Sequence, residues 1–200
     1  MSDRTHILES PVALAAGAGP RRVPNAVLGT MIFVAAEVMF FAALISAHTI
    51  ARSTALGGVW PPPGQPRLPA DRTAFNTALL LLSGVLLWRA NRNADSMTAR
   101  ARRYLEGAIA LGVSFVSLQG VEWVALLREG LTLRSSSLGA FFYLIVGAHA
   151  LHAVAAIAAL TWVYVLLRQG RQMTAAFAAT QVFWYFVVLV WPVIYLRVYF

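Results

Sequence analysis

Five apolar segments, each long enough to cross a bilayer, constrain the fold of this chain more than any other feature. A helix needs about 20 apolar residues to span the hydrocarbon core. Helices of this length satisfy their own backbone hydrogen bonds in lipid. We therefore predict an all-α, polytopic membrane protein with five transmembrane helices. The predicted spans are about Asn25–Ala51, Thr73–Ala90, Arg103–Leu127, Ser137–Leu167 and Met173 to the C-terminus.

The composition agrees with a membrane protein and excludes several kinds of chemistry. The chain is 59% hydrophobic and only 12% charged, whereas soluble domains contain about 25% charged residues. It has no cysteine and no lysine, which excludes thiolate catalysis, cysteine-bound metal centres and lysine Schiff bases. The formal charge of +8 would suggest nucleic acid as a partner of a soluble protein. Here the arginines cluster between the apolar segments, so we expect no nucleic-acid partner.

The arginine distribution predicts the direction of insertion. Ten of the 16 basic residues, all arginine, lie on the side that holds the N-terminal arm and the second and fourth loops. Positive residues accumulate in cytoplasmic loops. We therefore expect a multi-pass membrane protein with a cytoplasmic N-terminus and an external C-terminus.

Two regions flank or connect the predicted helices. Residues 1–24 are interpreted as a flexible N-terminal arm, and residues 25–200 as one transmembrane domain. The first loop contains the stretch WPPPGQPRLP, in which Pro61, Pro62 and Pro63 exclude both helix and paired strand. We expect a semi-rigid external connection, with Trp60 in the interfacial aromatic belt.

Glu37 is the carboxyl group nearest the middle of a predicted span. Ionisable groups in a bilayer are costly and are functional candidates. Two interpretations remain open. Glu37 is either a proton-relay residue or a neutral acid that is hydrogen-bonded to a neighbouring helix.

Two further polar pairs lie within spans at a helical spacing of three. His149 and His152 share a face of the fourth span, and Gln119 and Glu122 share a face of the third. Too few histidines are present for a self-contained haem or copper centre. We expect the histidines to form hydrogen bonds across helices. Gln119 and Glu122 are expected to form a polar stripe against another helix, for which the histidine face is a candidate.

Six motifs, in order along the chain from about Asn25 to Phe200, resemble subunit III of the haem-copper oxidases in its short, five-helix bacterial form. The motifs are AEVMFFAAL, GGVWPPPG, NTALLLLSG, SLQGVEW, GAFFYLIVGAHALHA and FWYFVVLVW. The last motif departs from the family pattern, because Tyr185 and Val188 stand where the family usually has histidine and aspartate.

The resemblance implies a protein of the bacterial inner membrane whose helices form a bundle in two groups around a lipid cleft. It also implies an accessory subunit with no catalytic residue, metal or redox cofactor of its own, with haem and copper in partner subunits. Its expected partners are oxidase subunit I, possibly subunit II, and bound phospholipid. The expected role is to support the stability and the proton uptake of subunit I during reduction of O₂ to water.

The electron donor of such a complex is cytochrome c or a quinol, and the sequence does not choose between them. An accessory subunit of a nitric oxide reductase is an alternative with the same fold. A small stand-alone transporter is an alternative from another class. It would require more charge along a path through the membrane than this chain contains.

Overall fold

The computed structural model describes residues 23–55, 60–92, 99–171 and 174–200, and within these ranges the chain is helical with irregular connections. Each helix is long and apolar enough to cross a membrane, so the five predicted spans are confirmed, with boundaries shifted by at most four residues. All but the last two residues of the predicted arm, 1–24, lie outside the described residues. The helices are α1 (Asn25–Ser53), α2 (Ala70–Asn91), α3 (Ala99–Arg128), α4 (Ser137–Arg168) and α5 (Thr174–Val198).

Successive helices run in opposite directions. The C-terminal ends of α1, α3 and α5 therefore lie at the same end of the bundle as the N-terminal ends of α2 and α4. At one end, which contains the first loop and is called the proline-loop end, the Tyr195 hydroxyl donates to the Ala70 carbonyl at 3.0 Å. This contact joins the end of α5 to the start of α2. At the opposite end, the Tyr164 hydroxyl of α4 donates to Glu106 near the start of α3.

The helices pack most closely within two sets, α2 with α3, and α5 with α1 and α4. The sets join where α5 contacts α2 and where α4 contacts α3. One hydrophobic core passes through all five helices, and Trp184 and Trp191 of α5 are fully buried in it. The lipid cleft that the resemblance implies is not tested by this packing and stays a prediction.

Glycines allow the bulky side chains of α5 to approach the neighbouring helices. A Cβ atom added to Gly112 of α3 would lie 2.7 Å from the Trp184 ring, and one added to Gly84 of α2 would lie 3.1 Å from Val188 Cγ1. Small residues at helix contacts are typical of membrane bundles, where close van der Waals packing drives association. α5 therefore occupies the centre because its partners leave space for its large residues.

The first loop folds back over the end of the bundle. The Trp60 ring packs edge-on against the buried His48 of α1, with ring centroids 5.6 Å apart. The Ser135 hydroxyl lies 3.1 Å from Gln65 Oε1, which connects this loop to the loop between α3 and α4. Trp60 is thus half-buried and packs against α1. The loop thus connects α1 and α2 and also contacts the loop between α3 and α4.

Candidate functional site

Glu37 and His152 form a pair between α1 and α4, about halfway along α1. Glu37 Oε2 lies 3.0 Å from His152 Nε2, and the two side chains are 19% and 14% exposed. The pair forms because α1 and α4 both pack on α5 and also contact each other. An ionisable residue in the middle of an apolar helix is thus joined to one on a neighbouring helix, as the second interpretation of Glu37 requires.

The hydrogen bonds of His152 limit the protonation states of the pair. His152 Nδ1 lies 2.7 Å from the Ala148 carbonyl, which can only accept, so Nδ1 carries a hydrogen. A neutral His152 then has a bare Nε2, and Glu37 must be protonated to donate to it. A protonated His152 instead donates from Nε2 to an ionised Glu37. In both states the two residues share one proton and the pair has no net charge, which suits a site within the membrane.

Aromatic rings surround His152. Its ring centroid lies 5.4 Å from Phe41, 6.2 Å from Phe183 and 6.2 Å from Phe186, and it stacks on Phe33 at 6.5 Å. The rings exclude water from the histidine side of the pair, and a low local dielectric strengthens the hydrogen bond. Glu37 retains an open side because most of the α1 surface is uncovered in this chain. The site is therefore accessible from outside the bundle along α1.

His149 lies on the same helix but has a different environment. It is buried, and neither ring nitrogen has a hydrogen-bond partner among the described residues. Its ring lies 4.8 Å from Trp191 and 6.0 Å from Phe115. The prediction of hydrogen bonds across helices is therefore right for His152 and wrong for His149. His149 acts as a flat apolar packing group, because the surfaces of α3 and α5 that face it are aromatic.

Gln119 and Glu122 belong to a second polar cluster, near the proline-loop end. The Thr73 hydroxyl lies 2.9 Å from Glu122 Oε2, and Asn76 Nδ2 donates to Gln119 Oε1 at 3.2 Å. Gln119 Nε2 lies 3.2 Å from Glu122 Oε2 and 3.1 Å from the Tyr199 hydroxyl. The predicted polar stripe exists, but it faces α2 and the end of α5. The prediction that this stripe faces the histidines of α4 is wrong, because the α3 residue that contacts His149 is Phe115.

The sequence interpretation missed the partners of this cluster. Thr73, Asn76 and Thr77 have the spacing of one helix face, and all three are buried. Thr77 Oγ1 also accepts a hydrogen bond of 2.9 Å from Trp191 Nε1. A polar face on α2 beside the polar face of α3 was the available signal. Burial raises the pKa of the Tyr199 phenol, so its hydroxyl stays protonated and can both donate and accept.

No group of three or more histidine, aspartate or glutamate side chains close enough to bind one metal ion occurs in the described part of the chain. His149 and His152 differ in their partners, since His152 is committed to Glu37 and Ala148 while His149 is enclosed by rings. What the two polar clusters can do chemically is hold protons and form hydrogen bonds inside an apolar bundle.

Comparison with known proteins gives a consistent result. A family model described as cytochrome c oxidase subunit III matches residues 19–200. The chain is 33% identical over 200 residues to cytochrome c oxidase subunit 3 of Corynebacterium diphtheriae, covering 92% of this chain and 94% of that protein. It is 31% identical to the probable subunit 3 of Nocardia farcinica, covering 88% of this chain and 89% of the relative. With the rabbit (Oryctolagus cuniculus) subunit 3 it is 32% identical, covering 86% of this chain but only 67% of the longer rabbit protein.

Proposed function

The chain belongs to the cytochrome c oxidase subunit III family, and from this premise we propose how it acts in its complex. It is an accessory, multi-pass membrane subunit of a haem-copper oxidase in a respiratory chain, and its family lacks redox centres. We propose that it packs against oxidase subunit I, stabilises that subunit during turnover and supports its uptake of protons. Haem and copper would then reside in the partner subunits, and subunit II is a further candidate contact.

The observation that carries the proposal is the Glu37–His152 pair. It lies about halfway along α1, at a surface of that helix that this chain leaves uncovered. A net-neutral pair of this kind can lie against lipid or another subunit without the cost of an isolated charge. It can also change which partner carries the proton without a change in total charge. These properties suit a residue that contacts phospholipid or subunit I beside a proton-consuming catalytic centre.

Affinity purification of the tagged full chain from its native membrane tests the proposed assembly. We expect a haem-containing complex that reduces O₂ with cytochrome c or a quinol. Haem spectra of the eluate, oxygen consumption with each donor and identification of the co-purified chains by mass spectrometry are the measurements. A complex that reduces nitric oxide instead of O₂ would identify the nitric oxide reductase alternative. Recovery of the chain without a haem protein, under conditions that keep other respiratory complexes intact, would overturn the proposal.

Glu37→Gln is expected to affect sustained turnover more than the initial rate of O₂ reduction. Glutamine can donate from its amide to the bare Nε2 of neutral His152, so the contact between α1 and α4 should survive. It cannot ionise, so exchange of a proton within the pair is lost. Activity of the assembled complex over many turnovers, together with its bound-lipid content, is the measurement. If both match the wild type, Glu37 is a packing residue only.

The orientation of the chain gives an independent prediction. Reporter fusions near Asn93, in the basic loop between α2 and α3, should show a cytoplasmic location because of the arginine distribution. This position lies outside the described residues. A fusion near Gln65, in the proline-rich loop, serves as the opposite control and should be external. A reversed pair of signals would invert the topology.

A further inference from the structure

A cavity of about 540 Å³ opens between α2 and α3 near the proline-loop end. The lining residues lie on α2 and α3, whereas Glu37 lies on α1 and His152 on α4. The cavity is therefore separate from the Glu37–His152 pair. Its lining combines charged, amide and apolar side chains. The lining residues are Asp71, Arg72, Phe75, Asn76, Leu118, Val121, Glu122 and Ala125.

Asn76, at the wall of this cavity, has an oxygen atom without a donor. Its Nδ2 donates to the Phe115 carbonyl at 3.1 Å and to Gln119 Oε1 at 3.2 Å. Because a carbonyl can only accept, this contact fixes the orientation of the amide and assigns the other atom as Oδ1. Asn76 is 0% exposed, and Oδ1 has no partner among the described residues. A buried acceptor in this state is costly, and a donor from outside the described chain would satisfy it.

Glu122 offers a second free acceptor at the same wall. The side chain is 7% exposed, and the hydrogen bonds that it accepts from described residues, from Thr73 and Gln119, both reach Oε2. Oε1 is left for a ligand. Two acceptors, one of them a carboxylate, favour a cationic N–H donor over a neutral one.

Charges of both signs stand at the mouth of the cavity. Asp71 and Arg72 lie in the first turn of α2 and are exposed, and in the described part of the chain neither takes part in a salt bridge. Arg72 provides a site for an anion, while Asp71 and Glu122 attract a cation. A ligand that carries a positive and a negative group on a short linker would satisfy both.

The remaining lining is apolar and faces outward. Phe75 is 64% exposed and Val121 67% exposed, and both lie on the surfaces of helices that cross the membrane. The cavity is at the ends of these helices, which is the depth of lipid headgroups. Acyl chains of a lipid held there would extend along this apolar surface toward the middle of the bilayer.

We propose that this cavity is a binding site for the headgroup of an aminophospholipid, of which phosphatidylethanolamine is the simplest. Its ammonium group donates to Asn76 Oδ1 and Glu122 Oε1, and Arg72 binds its phosphate. A primary ammonium has three N–H donors, whereas the quaternary ammonium of phosphatidylcholine has none and leaves Asn76 unsatisfied. The headgroup of phosphatidylglycerol lacks the positive charge that the carboxylates attract.

Lipid retention by the purified full chain tests the site directly. The chain is placed in nanodiscs with equal amounts of phosphatidylethanolamine, phosphatidylcholine and phosphatidylglycerol, extracted in mild detergent and analysed by native mass spectrometry. We expect retention of phosphatidylethanolamine over phosphatidylcholine by about tenfold, the effect of one charge-assisted hydrogen bond. Arg72 is proposed to bind the phosphate that all three lipids share, so Arg72→Gln should lower the retention of all of them. Asp71→Asn should reduce the preference for phosphatidylethanolamine over phosphatidylglycerol, which lacks the positive charge. Both positions are exposed, so folding should be unaffected.

Arg128→Gln is the matched control, because Arg128 is an exposed arginine at the same end of α3 that does not line the cavity. It should retain the wild-type amount of lipid and the wild-type preference. Glycerophosphoethanolamine, which has the headgroup without acyl chains, should not displace the lipid. Equal retention of the three lipids would show that only a water molecule satisfies Asn76 and would overturn the proposal. So would displacement by the soluble headgroup or unchanged lipid retention in the Arg72 variant. Since the measurement uses the isolated chain, it is independent of oxidase assembly.

Discussion

Val188→Asp is expected to destabilise the chain by about 3 kcal/mol or more, the cost of an acidic group at the centre of a transmembrane helix. Val188 lies in the second half of α5, is 4% exposed and packs against Gly84 of α2. The hydroxyl of Ser83, the residue next to Gly84, already donates to the Ala108 carbonyl at 2.8 Å. The aspartate would thus enter an apolar helix contact. A lower midpoint of thermal unfolding of the detergent-purified chain, and weaker assembly with subunit I, are the measurements.

Val188→Thr is the matched control for this substitution. Threonine has nearly the same shape, and its hydroxyl can donate to a carbonyl one turn earlier in the same helix. We expect it to cost about 1 kcal/mol at most. The double variant Tyr185→His, Val188→Asp restores the pair that the family usually carries at these positions. If the double variant unfolds and assembles as the wild type does, this chain still contains polar partners for that pair, and the replacement of both residues has no structural consequence.

His152→Leu is expected to destabilise the chain by about 2.5–3.5 kcal/mol, because it leaves Glu37 unpaired in the middle of a span. Leucine fills much of the space among the surrounding phenylalanine rings but offers no hydrogen bond to the carboxyl group. The contact between α1 and α4 should weaken as well, since the Glu37–His152 pair is a polar contact between these helices. Thermal unfolding of the purified chain measures the loss.

Two variants separate this effect from a simple packing defect. Adding Glu37→Leu to His152→Leu removes the unpaired carboxyl group and should recover most of the lost stability. His149→Phe changes the other histidine, whose nitrogens have no partner among the described residues, to a ring of similar shape. It should be neutral or slightly stabilising, because no hydrogen bond is lost. Equal losses in His152→Leu and in the double variant would show that Glu37 needs no partner.

The Tyr185 and Val188 departures change the character of α5. Val188 makes an apolar contact with Gly84, and Tyr185 faces an open apolar groove between α1 and α5. The Tyr185 hydroxyl has no hydrogen-bond partner among the described residues. At these positions the helix is therefore held by close packing, where a histidine and an aspartate would require polar partners.

The spans were predictable because their signal is local. Crossing a bilayer requires a minimum length of apolar helix, and each of the five segments meets this requirement without reference to the others. The helices therefore matched the prediction, with α3 beginning four residues earlier than expected. The spacing of Gln119 and Glu122 likewise predicted one polar face, because a helix repeats every 3.6 residues.

The partners of the polar residues were decided by tertiary structure. The sequence by itself determined that Glu37, His149 and His152 lie within spans and that the two histidines are close on one helix. It could not determine that only His152 would meet a carboxyl group, because α1 and α4 are far apart in the chain and their rotation depends on how both pack on α5. Nor could it show that Asn76 of α2 would face Gln119. A helix period places side chains on a face, but only the packing of one helix on another decides which faces meet.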